Sequence, residues 1–359
     1  MTAWLAAAVL FAAPARGKAH DTLHQQCLLY AADPKNPWAL AHGITALGPK
    51  FAAADGRVAS QVIVGDFLKK GGPPEGNPYS FDRYAPDRTP IEPHSNLQVK
   101  TLVLAGVPLT TSFPAPFGKV TLQELLRGVE RGFRHVPQNE AYWREVAWTL
   151  DLLSATRTPA KASFQHGGGE AVDFQRVMDD ALTYLESAQQ EIAEGMDKGL
   201  ARVDKRKQGI YAHTCGGLHL FQAVASWARF AEVKKKWGKR LDRQIDVLFY
   251  RLDSEAKQYE EALQKAPQYK LQLLTQMVKF YGHFLETTGR LKVENRFVPS
   301  KAQRQQIAKA KALLDWAVRE LEAQKAFASM EQLKASQPQI YLDLIGDACH
   351  AAHGLAYWK

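Results

Sequence analysis

Cys215 and His219 stand four residues apart, and so do Cys349 and His353. In a helix, positions i and i+4 lie one turn apart on the same face. Two helices would then each present a thiol above an imidazole. If those faces meet, two thiolates and two imidazoles surround one point, a donor set that suits zinc. Cys215, His219, Cys349 and His353 are therefore the metal candidates, with zinc the implied ion. His213 and His350 flank the two pairs, as spare ligands, outer hydrogen-bond donors or acid–base groups. Tyr211, two residues before His213, could share a proton with it, so Tyr211, His213 and His350 are the catalytic candidates. Cys215, Cys349 and His350 taken as a three-ligand set would leave a fourth position open for water or a thiol.

The same residues admit two plainer readings. Cys215 and Cys349 would close a disulfide if their Cα atoms come within about 7 Å. Cysteine and glycine on a helix also serve close packing with no ligand at all. Cys27 is the third cysteine, so at most one intramolecular disulfide forms.

Small residues beside histidine recur in three other places. Residues 38–48 carry His42 and Gly43, residues 281–284 read Tyr-Gly-His-Phe around His283, and residues 346–354 read GDACHAAHG. With His24, seven of the 11 histidines fall in or beside these stretches, which is too many for an ordinary apolar core because buried imidazoles need partners. His42 and His283 are therefore ligand-binding candidates. Tyr79, Phe81, Arg83 and Tyr84 form a second candidate binding surface. Aromatic platforms with a guanidinium suit sugar or peptide, and the same mixture also makes a self-packed loop. The glycine-rich residues 163–170 precede a helix whose backbone N–H groups could hold an anion, or form a simple turn.

Cys-Gly-Gly at 215–217 and Cys-His at 349–350 resemble the zinc-ligand motifs of lanthionine-synthetase-like cyclases. The resemblance covers these two short motifs. They stand farther apart than in that family, and Ala351 replaces the glycine that follows its Cys-His. It implies an α/α toroid, with zinc held by Cys215, Cys349 and His350 and activating a cysteine thiol for addition to a dehydrated residue.

The elements that must position these residues are mostly helices. The apolar spacing predicts helices over 21–31, 37–47, 121–133, 139–155, 172–197, 212–230, 239–263, 269–286, 301–325 and 338–355. Thr121 and Glu124 form a capping box, and Ser300 caps the helix after it. Charged amphipathic helices (121–133, 172–197, 239–263, 301–325) each precede a more apolar one carrying Gly, His or Cys. An amphipathic helix lies outside and an apolar one inside, and consecutive elements pack together. The expectation is an all-α fold, an α/α toroid of about five helical hairpins, closed or open, with a large helical bundle as the plainer form. Residues 48–120 are rich in Pro, Gly and aromatics and are expected as an irregular, partly β insertion capping one end, with strands at 61–64 and 99–107.

The chain has 359 residues and a formal charge of +9, spread through helices apart from a basic run at 234–240. Such a run is a solvated helix end or a weak polyanion site. No nucleic-acid, nucleotide or serine-hydrolase motif accompanies it, so nucleic acid is not an expected partner. Residues 4–13 are apolar but too short to span a bilayer, and small residues follow at 13–15 and 17–19. Although no Lys or Arg precedes the run, the pattern reads as a signal peptide over 1–19 ahead of a single helical domain at 20–359, in a periplasmic or secreted protein without a transmembrane segment. The functional expectation is an exported protein with a His/Cys-lined central cavity, a zinc-dependent enzyme acting on a small molecule, peptide or anionic saccharide. A metal-independent carbohydrate lyase or hydrolase, and a non-enzymatic binding or scaffold protein, are the alternatives.

Overall fold

Alternating charged and apolar segments fold as outer and inner helices. The computed structural model describes residues 18–72, 76–157, 164–165, 171–205, 209–294 and 297–359. Of the expected signal peptide only Lys18 and Ala19 fall within it, in the first helix; of the glycine-rich segment at 163–170 only the backbone of 164–165 does. The helices are α1 (Lys18–Tyr30), α2 (Pro37–Leu47), α3 (Ala59–Phe67), α4 (Leu97–Leu104), α5 (Leu122–Gly132), α6 (Glu140–Thr156) and α7 (Phe174–Ala188). They continue with α8 (Gln190–Asp197), α9 (Leu218–Ala225), α10 (Ala231–Lys265), α11 (Lys270–Glu294), α12 (Lys301–Ala323), α13 (Met330–Ser336) and α14 (Pro338–Ala356). Among the described residues, no helix is long and apolar enough to cross a membrane.

Burial follows the pattern of apolar positions. α5 buries Leu122, Leu125, Leu126 and Val129 and leaves Gln123, Glu124 and Arg127 exposed. Its first turn is closed by the Thr121–Glu124 capping box, and a Ser300–Gln303 box opens α12 in the same way. α12 buries one stripe, Ile307, Ala310, Leu314, Ala317, Val318 and Leu321. α14, by contrast, is buried almost without interruption from Leu344 to Ala352, as a helix with apolar residues all round must be.

The inner helices follow one another in contact: α2 on α4, α4 on α6, α6 on α9, α9 on α11, α11 on α14, and α14 back on α2. α1 packs on α14 and α2, α3 on α2, α5 on α4, α7 on α9, and α10 and α12 on α11. The tightest crossing is α11 with α14. A Cβ on Gly282 would lie 2.7 Å from that of Ala351, and one on Gly354 would lie 2.7 Å from the backbone nitrogen of Glu286. Only glycine lets these two backbones touch, and the contact brings the histidines of both helices together.

Two expectations fail in instructive ways. Residues 61–64 and most of 99–107 are helical, within α3 and α4, not strands. A short, continuously apolar run has no period to separate a buried helix from a buried strand. The insertion is still partly β: Lys69–Lys70 pairs with Tyr79–Ser80, and Ser112–Ala115 with Gly118–Thr121, both antiparallel, with Phe113 opposite Val120 in the core. The second failure concerns Cys349. It is disulfide-bonded to Cys27, tying α1 to α14 across 322 residues of sequence. It is neither a metal ligand nor the partner of Cys215, which remains a free thiol.

Candidate functional site

Residues 209–229 are not one helix. Two 3-10 turns, Gly209–Ala212 and Thr214–Gly217, precede the short α9. Cys215, Gly216 and Gly217 all lie in the left-handed region, at φ 51°, 60° and 77°. The two glycines are required twice over: a Cβ at 216 would meet Arg251 at 2.5 Å, and one at 217 would meet Ile210 at 2.2 Å. The buried Arg251 of α10 clamps this loop, donating from Nη1 to the Gly216 carbonyl at 2.6 Å and from Nε to Glu255 at 2.5 Å. Cys215 therefore does not share a helical face with His219. The loop nevertheless delivers it there, because α9 starts immediately after the turn.

Cys215 and His219 meet His283 of α11, their ligand atoms all within 4.8 Å of one another. His283 is fully buried, with its ring 4.8 Å from that of His219 and 4.1 Å from that of His350. Its Nδ1 stands 3.7 Å from Glu286 Oε2 and its Nε2 3.6 Å from Asp347 Oδ1, so neither nitrogen has a hydrogen-bond partner among the described residues. Glu286 accepts from His350 Nδ1 and from His353 Nδ1, each at 2.8 Å. His283, Glu286 and His350 form a second group with ligand atoms within 4.8 Å. These His/Cys/Glu groups could hold a metal.

The cluster opens onto a cavity of about 250 Å³ lined by residues from every inner helix. Trp38 and His42 come from α2, Lys100 from α4, Trp148 from α6, His219 from α9, Lys279 and His283 from α11, and Asp347 and His350 from α14. His42 donates from Nδ1 to the Trp38 carbonyl at 2.7 Å, which puts its lone pair on Nε2. Lys279 pairs with Asp343 at 2.9 Å and Asp347 at 3.8 Å; Lys100 lies 3.7 Å from Asp151.

Burial sets the charges here. It pushes His219 well below the ordinary imidazole range, and the neighbouring His283 and His350 add to the shift. Burial lowers His42 in the same way, helped by His350. His350 is also lowered, burial outweighing Glu286. His283 goes the other way: burial opposes its charge, but Cys215, Asp347 and Glu286 overrule it and raise it well above the usual value. Burial would raise Glu286, yet His350, His283 and His353 hold it well below the carboxylate range.

The cavity thus gathers His42, Cys215, His219, His283, His350 and Tyr84 of the expected residues. His353 lies behind Glu286 and lines a separate cavity with Arg290. His213 and Tyr211 are elsewhere: His213 Nε2 bonds Tyr184 at 2.9 Å, and Tyr211 donates to Glu255 at 3.1 Å. Tyr79, Phe81 and Arg83 line another cavity, with Glu92 and Asn96. Sequence reasoning missed Glu286, Asp347, Lys279 and Arg251. The first two had a signal: each is a carboxylate three residues from a histidine, His283 and His350, on an apolar helix.

No protein-family model matches the chain, and no curated protein or solved structure matches it. The ligand set that the cyclase resemblance implies loses Cys349 to the disulfide.

Proposed function

We propose that this protein is an α/α toroid with a metal-dependent enzyme centre at its middle, zinc being held by Cys215, His219 and His283. The closed succession of α2, α4, α6, α9, α11 and α14, with the remaining long helices outside it, supports the toroid, with six inner helices instead of five. The observation that carries the metal reading is His283. A fully buried imidazole with both nitrogens unpaired is costly, and a thiol and a second imidazole converge on it. Three ligands leave the fourth position to water, as in catalytic zinc sites.

In this reading His283 offers Nε2, and Asp347 stands beside it with Oδ2 free of hydrogen bonds. Zinc would supply a bound water acidic enough to be hydroxide near neutral pH. Asp347 would be placed to accept a proton from such a water, and Lys279, 3.8 Å from its Oδ2, would offset its charge. The reaction class is hydrolysis or hydration of a small molecule or a single protruding group, the limit being the cavity size. Trp38, Trp148 and Tyr84 supply apolar walls. The disulfide between Cys27 and Cys349 supports an exported location, since such bonds persist in oxidising compartments. The carbohydrate-lyase alternative loses its proton-transfer pair, because Tyr211 and His213 do not face the cavity.

Elemental analysis tests the reading. Purified protein should carry stoichiometric zinc that Cys215→Ser and His219→Ala reduce, with melting temperature as the control for folding. Protein that takes up no zinc even when supplied with it refutes the centre. Rapid alkylation of Cys215 in that blank protein would favour a thiol nucleophile, which its left-handed conformation before α9 also fits.

A further inference from the structure

Glu286 lies on the Nδ1 side of His283 and Asp347 on the Nε2 side, and the His350 ring packs 4.1 Å from that of His283. We propose that His283 is shared between two metal positions, with Nε2 in the Cys215–His219 position and Nδ1 in a second one completed by Glu286 and His350. The inference rests on the metal reading above and goes beyond it.

Three observations carry it. First, both nitrogens of the buried His283 lack a hydrogen-bond partner among the described residues, where a single ion would account for only one of them. Second, Glu286 is poorly placed as a mere outer partner of that ring. Its Oε2 lies 3.7 Å from His283 Nδ1, beyond hydrogen-bonding distance, and 2.8 Å from His350 Nδ1. Donors at about 2.1 Å from one ion lie about 3.0–3.4 Å apart, and these two separations bracket that range. Third, the other oxygen of Glu286 accepts from His353 Nδ1 at 2.8 Å, the outer hydrogen bond that metal-bound carboxylates usually have. Gln222 Nε2 also donates to Oε2, at 3.4 Å.

The proton balance is simple. The protonated His283 ring has an N–H on each nitrogen; the first ion displaces the Nε2 proton and the second the Nδ1 proton, both leave to solvent, and the ring becomes an imidazolate bridging both ions. His350, whose Nδ1–H donates to Glu286 in the empty site, loses that proton to solvent and takes one from solvent on Nε2, with no net change, so that its Nδ1 lone pair faces the ion. No redox step is involved. The two positions differ in donors: thiolate and imidazole in the first, carboxylate and imidazole in the second, so only the first has sulfur.

The test is titration of chelator-stripped protein with cobalt(II) and zinc(II). The expected result is two ions per chain. The thiolate-to-cobalt charge-transfer band, which reports only the sulfur-containing position, should saturate at one equivalent while binding continues to two. Glu286→Gln, nearly isosteric, and His350→Ala should each bind one ion with the band intact; Cys215→Ser should bind one ion without the band. One ion in the wild type that Glu286→Gln retains overturns the shared position and leaves the first centre standing. Two ions that survive both Glu286→Gln and His350→Ala put the second elsewhere and overturn it too. No ion at all overturns both proposals.

Discussion

Glu255 and Glu286 are both buried carboxylates, 0% and 3% exposed, and they are neutralised in different ways. Glu255 is matched by permanent cations: Arg251 Nε at 2.5 Å and Lys205 in direct contact, with Tyr211 donating as well. Burial would raise its pKa, but Arg251 and Lys205 hold it down. Glu286 has histidines instead, whose charge depends on what else they bind. The first arrangement is closed and serves the fold, fixing the loop that carries Cys215. The second is open, and it lies where two cavities meet at His350 and Lys100. Buried charge matched by arginine holds a shape, while buried charge matched only by imidazole leaves room for an ion.

The comparison breaks most readily at Arg251. Arg251→Met would leave the buried Glu255 with Lys205 as its one cation among the described residues and free the Gly216 carbonyl, and should cost about 3–5 kcal/mol in urea unfolding. Cys215 should then react faster with thiol reagents. The double variant Arg251→Met/Glu255→Gln should recover much of that stability. It should also be less acid-sensitive than the wild type. A carboxylate whose folded pKa is depressed contributes stability above its unfolded value of about 4.5, and that contribution is lost as pH falls through the folded value. Thermal melting from pH 7 down to pH 3 checks this.

The disulfide sharpens the comparison next. Cys27→Ala/Cys349→Ala removes a cross-link closing most of the chain and should cost about 2–5 kcal/mol, yet the metal content should not change, because Cys349 is not a ligand. A smaller loss, about 1–3 kcal/mol, is expected for Glu286→Gln, with the metal count as the property that moves. Tyr211→Phe should be smallest, about 0.5–1.5 kcal/mol, with no change in metal content, as befits a hydroxyl that serves Glu255.

Much of this was readable from residues alone. α2, α5, α6, α12 and α14 lie within a few residues of their expected bounds, because capping boxes and 3.6-residue periods are local signals. The concentration of Gly and His on inner helices marked the cavity, since small residues allow close crossings and buried imidazoles need partners. The Cys-x-x-x-His pattern, however, found its residues for the wrong reason. Cys215 reaches His219 through a left-handed turn, and the pair at 349 and 353 is divided between a disulfide and the far side of Glu286. Which cysteine pairs with which is a long-range fact, set here by α1 packing on α14. Arg251 gave no signal, because its target is a backbone carbonyl 35 residues away.

X-ray absorption at the zinc edge tests the central claim most directly. The account predicts one sulfur at about 2.3 Å with nitrogen and oxygen at about 2.0–2.2 Å, the sulfur shell disappearing in Cys215→Ser. Zinc with no sulfur neighbour in the wild-type protein would contradict it.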